Sequence, residues 1–164
     1  MEFITRDAMK PIMDFIAVCP FLDDYGIDLG NMGAQLFTAS KPDTSMLLYS
    51  GSVLAGEIKD VQRTRTCNRQ ANYQLFLLRR AGYDSQRCNA SNFLFNFEQW
   101  VEACQFQGLC PKLSLDEDSR RKEVMWADNA APYSEWEDGL DSSLYQIQLH
   151  ISYYNTYINK EGFK

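Results

Sequence analysis

The chain has 164 residues, 45% hydrophobic and 23% charged, with 16 basic against 22 acidic side chains and a net charge of −6. That length suffices for a core without disulfides or metal, and it predicts one domain over residues 1–164. The composition excludes wholesale disorder, and the acidic balance argues against a general nucleic-acid binder, which needs surplus cations to displace phosphate counterions.

From the N-terminus, Met9, Ile12, Met13 and Ile16 recur at helical spacing, so residues 5–19 read as a helix with Thr5 as its cap and Pro11 in or near its first turn. The mixed charges of "MEFITRDAMK" do not fit a signal peptide, and no uncharged apolar run approaches the ~18 residues of a membrane helix. Residues 20–33 read as a turn-rich connection with a short strand, and "AQLFTAS" (34–40) as a strand. Residues 40–56 stay ambiguous, because Pro42, Gly51 and Gly56 interrupt any period.

Residues 57–66 and 71–80 read as two strands turned by "CNRQ" (67–70), a hairpin whose first arm is polar on both faces and so projects from the body or pairs with something wet. A helix is predicted over 91–108, capped by Ser91 and ended by Gly108, with Phe93, Phe97, Trp100, Val101 and Cys104 on one stripe. "EVMWA" (123–127) is a strand and residues 128–143 an acidic loop. "LYQIQLHISYY" (144–154) then alternates apolar with polar over its whole length. Helix, strands, helix, strands predicts an α+β fold: an antiparallel sheet with two helices packed on one face, Ile147, Leu149 and Ile151 beneath the aromatic stripe, and protruding hairpins.

Reactive chemistry finds little support. Phosphate-binding and nucleophile-elbow motifs are missing, and the five cysteines (19, 67, 88, 104, 110) form no C-x-x-C pair. The lone histidine, His150, stands on the polar side of its strand with Gln148 and Ser152 as same-strand neighbours, which supply no carboxylate to orient a base. No catalytic residue, cofactor or metal is expected. Arg63, Arg65 and Arg69, with Tyr73 and Phe76 near, resemble a basic and aromatic nucleic-acid platform. The favoured alternative pairs these arginines with acids, among them Glu135, Glu137 and Asp138 of a neighbouring copy. Trp136 among those acids is a candidate interface anchor.

Three ordered blocks carry a resemblance: the opening Met1–Phe15 helix with "CPFL" and "GIDLG"; "YQLFLLRR" with Phe93, Phe97, Trp100, Val101, Glu102 and "LCPKL"; and the closing "YQIQLHISYY". Together they resemble the small tail-completion, or minor capsid and minor tail, proteins of phages and prophages of Gram-positive bacteria. The resemblance implies a tail-terminator-like fold and a homomeric ring, typically a hexamer, that caps the tail tube and meets the head connector. DNA would pass through the ring, at the head–tail junction of a virion made in the host cytoplasm. The alternatives are a head-side stopper, a small His150-dependent hydrolase or transferase, and a monomeric binding module.

Overall fold

The structure is a computed structural model that describes residues 7–22, 44–61, 63–80, 84–114, 123–136 and 142–158. In chain order the elements are α1 (Lys10–Ala17), β1 (Thr44–Val61), β2 (Thr64–Arg80), α2 (Asp84–Phe106), β3 (Val124–Trp136) and β4 (Ser142–Ile158). The strands form one antiparallel sheet in the order β1-β2-β4-β3, so the fold is α+β.

β4 sets the two faces. Tyr145, Ile147, Leu149, Ile151 and Tyr153 are buried, while Gln146, Gln148, His150, Ser152 and Tyr154 between them are half-buried. Strand period two puts these sets on opposite sides. Register carries the division to β2, where Ala71, Tyr73 and Leu75 lie opposite Ile151, Leu149 and Ile147. These side chains share one core with Ile12, Phe15 and Ile16 of α1, Met125 of β3, and Phe93, Phe97 and Val101 of α2. Phe15 stacks on Trp100 with ring centroids 4.5 Å apart, joining the two helices. The Tyr73 hydroxyl donates to the Ala8 carbonyl at 2.9 Å, tying β2 to the approach of α1.

α1 is shorter than the expected 5–19. Thr5 lies outside the described residues. The capping oxygen is Asp7 Oδ1, which accepts the backbone N–H groups of Met9 and Lys10 at 3.0 Å each. Those bonds hold the Asp7 carboxyl below its ordinary range. Pro11 sits in the first turn, where its missing N–H has no helical partner to lose. α2 starts at Asp84, which leaves Ser91 inside the helix rather than capping it. Its end follows the expected chemistry: Gly108 takes φ 74°. There Leu109 N–H reaches the Cys104 carbonyl at 2.9 Å and Gly108 N–H the Gln105 carbonyl at 3.1 Å, a Schellman closure. Gln105 then clips this end to β3 by accepting the Met125 N–H at 2.8 Å.

Three expectations for the strands need correction. "CNRQ" is no turn: Cys67 to Gln70 lie inside β2, and the chain reverses between Val61 and Thr64. The ambiguous 40–56 region is mostly β1, kept in the sheet through a register shift between Leu54 and Ile58. Gly56 suits that shift, since a Cβ there would stand 2.9 Å from Asn68 Nδ2. Finally, residues 128–136 are strand, not loop. β3 runs on to pair Trp136 with Ser142, through irregularities at Asp128/Ala131 and Pro132/Ser134. Pro132 is tolerated because β3 is an edge strand of the described sheet. The expected strand at 34–40 and the connection of 23–33 lie outside the described residues.

β4 accompanies β2 to its first residue, with Thr64 opposite Ile158. The β1–β2 turn is therefore flanked by a third strand and does not project as a two-stranded arm.

Candidate functional site

The polar face of the sheet is a lattice of neutral side chains bonded to one another. Gln74 Nε2 donates to Gln146 Oε1 at 2.9 Å, Asn129 Nδ2 to Gln148 Oε1 at 2.9 Å, and Ser152 Oγ to Asn68 Oδ1 at 3.3 Å. Gln70 Nε2 donates to Asn72 Oδ1 at 2.8 Å. Each pair crosses or follows the strands at the spacing that cross-strand partners share.

His150 is the hub. Its Nδ1 lies 2.6 Å from Asn72 Oδ1 and its Nε2 lies 2.8 Å from Asp128 Oδ1. Its ring stacks on Trp126 with centroids 5.2 Å apart and planes 24° apart. The histidine side chain is 12% exposed and the Asp128 side chain 47%. The expected lack of a carboxylate beside His150 is thus corrected. Asp128 is opposite Gln148, two pairs along from Trp126 opposite His150, and reaches the ring diagonally from the next strand. Sequence reasoning placed Asp128 in a loop. Extending the "EVMWA" strand by one residue would have put Asp128 in β3, and the β3–β4 register then sets it beside the imidazole.

A general base needs a nitrogen lone pair within reach of a substrate proton. Here one nitrogen faces an amide and the other a carboxylate. Burial pushes the Cys19 thiol up to about 11 and that of half-buried Cys110 up to about 12, and raises Cys104 too, which suppresses the thiolate. Among the described residues no group of His, Cys, Asp and Glu could hold a metal ion, and no helix is long and apolar enough to cross a membrane.

The arginines occupy the other notable region, the β1–β2 turn. Arg65 forks onto Asp60, Nε to Oδ1 at 2.7 Å and Nη2 to Oδ2 at 2.8 Å, which holds the Asp60 carboxyl below its ordinary range. Arg63 is exposed in the turn, and Arg69 is half-buried opposite Tyr153 on β4. Tyr73 is 1% exposed and so offers no face for a base to stack on, which removes one of the two aromatic residues expected of a nucleic-acid platform; the side chain of the other, Phe76, lies outside those described.

Glu135 and Trp136 lie at the far end of the sheet, their backbones paired with Ser143 and Ser142. Glu137 and Asp138 are outside the described residues. Thr64 and Arg80 bound β2, and Ser142 is opposite Arg80. The arginine end and the Glu135 end are therefore roughly 50 Å apart at strand rise. One chain does not bring them together.

Beside the arginines the apolar face runs on without burial. Leu54, Ile58 and Tyr157 are each 49% exposed, and they stand opposite Arg69, Cys67 and Arg65 respectively. Sequence reading missed this patch, because the residues fell in an ambiguous stretch and at the tail of the last strand. No protein-family profile matches the chain, and no curated protein matches it.

Proposed function

We propose that the chain is a structural virion protein that assembles with copies of itself into a tail-completion ring of six, closing the tail tube and meeting the head connector. One observation carries the reading: Leu54, Ile58 and Tyr157 continue the apolar face past its buried part, beside the Arg65–Asp60 pair. An apolar strip edged by an ion pair is the composition of a contact surface. The likeness of the three sequence blocks to tail-completion proteins supplies the kind of contact. The polar face supports the same reading, since the amides of its middle are committed to one another and offer little to grip a phosphate backbone passing over it.

Light scattering with negative-stain imaging, before and after addition of purified tail tubes, tests the proposal. Rings, or capped tube ends, are expected. A head-side stopper would instead bind connectors and ignore tubes.

A second reading, a small hydrolase or transferase, is favoured by one contact, the Asp128–His150 pair. It requires Asn72 to leave Nδ1 so that the ring can take a proton. Turnover abolished by His150→Ala would support it, and assembly unaffected by His150→Ala would support the ring.

A further inference from the structure

We infer that the apolar strip beside the β1–β2 turn receives α2 of a second copy, through the helix's outward stripe of Phe95, Gln99, Glu102 and Phe106. The pairing rests on the assembly of like copies proposed above and names the surface that the neighbour brings. α2 buries Phe93, Phe97, Val101 and Cys104 in the core. Phe95, Gln99, Glu102 and Phe106 recur at i, i+4, i+7 and i+11 on the side turned away from it, and all four are exposed. Phe95 is 58% and Phe106 93% exposed. Two open aromatic rings on one stripe leave apolar area that a partner would remove from water.

The strip fits such a stripe in size. Leu54 and Ile58 on β1 and Tyr157 on β4 flank Arg69, Cys67 and Arg65 of β2, on the helix-covered side of the sheet. Three neighbouring strands make the strip roughly 10 Å wide, about the diameter of a helix. Its length from Arg69 to Arg65 is about 13 Å at strand rise, and the stripe from Phe95 to Phe106 spans about 17 Å at helical rise. The stripe points away from its own sheet, so the strip it fills belongs to another copy. Charge agrees with shape. Residues 57–70 carry Lys59, Arg63, Arg65 and Arg69 against Glu57 and Asp60, a local excess of cations in a chain of net charge −6. Residues 91–110 carry Glu98 and Glu102 and no basic side chain. Glu102, between the two phenylalanines, meets the arginines that lie between the apolar rails. A contact between unlike surfaces leaves each copy one of each to offer, and it extends into a ring when its rotation closes.

Sedimentation velocity of the full chain, with negative-stain imaging on tail tubes, tests the pairing. Phe106→Ser and Ile58→Ser should each weaken association roughly tenfold and leave the circular dichroism unchanged, since both side chains are exposed in the single chain. Glu102→Lys should weaken it as well, most at low salt, where repulsion from the arginines is least screened. Phe106→Ser keeps a working strip and Ile58→Ser a working stripe. An equal mixture should therefore form pairs at concentrations where neither variant associates alone. A mixture that stays single, or Phe106→Ser assembling as well as wild type, would overturn this pairing and leave the ring reading standing. A wild-type chain that stays single both in solution and on tubes would overturn both.

Discussion

Along β4, adjacent residues occupy different media. Leu149 is 0% exposed and its neighbour His150 belongs to a half-buried hydrogen-bonded lattice. The apolar face is held by burial, which is non-directional and adds with area. The polar face is held by pairs, each fixed by distance and angle and each modest in net contribution. The difference teaches where change is tolerated: the first face resists loss of volume, whereas the second resists loss of a partner.

The comparison breaks most visibly in the core. Phe97→Ala should lower unfolding free energy by about 3–5 kcal/mol in urea titrations, the range for removing a buried aromatic side chain. Gln146→Ala on the same sheet should cost under about 1 kcal/mol, because it removes a half-exposed amide pair. Equal losses would mean that the two faces do not differ as described.

Glu123 sharpens the contrast by placing a carboxylate where directional bonding outweighs burial. Its partial burial alone would raise the carboxyl, but hydrogen bonds from Ser114, its own backbone and Leu113 hold it below the ordinary range. Oε1 accepts the Leu113 and Ser114 N–H groups at 3.0 Å each. A depressed folded-state value contributes stability above the unfolded carboxylate range and loses it as pH falls through the folded value. Glu123→Gln should therefore cost about 1–2 kcal/mol at neutral pH, with the gap to wild type closing in acid.

Smaller again is Gly108→Ala, which forces a side chain to φ 74° and should cost about 1 kcal/mol by thermal unfolding. Least of all in stability is Ile58→Ser. Ile58 is 49% exposed, so unfolding should change by no more than about 0.5 kcal/mol while association, read by light scattering, weakens.

Much of this was legible in the residues. Strict alternation gave β4 and its faces, and helical spacing with a terminal glycine gave the end of α2. The failures share a cause. "CNRQ" has turn composition, yet Asn68 and Gln70 are half-buried strand residues whose amides are satisfied on the polar face by Ser152 and Asn72. Asp128, Asn129 and Pro132 look like loop, yet an edge strand absorbs them through bulges. Tertiary partners decided these segments, and local propensity could not see them. The Asp128–His150 contact was hidden for the same reason: it joins residues that only register places side by side.

The central claim is that the molecule acts by docking to copies of itself, and mass measurement on tail tubes tests it most directly. Purified protein mixed with uncapped tubes should appear as a ring of several copies at one tube end, with Ile58→Ser reducing its occupancy. A chain that remains single in solution and leaves tube ends bare would contradict the account.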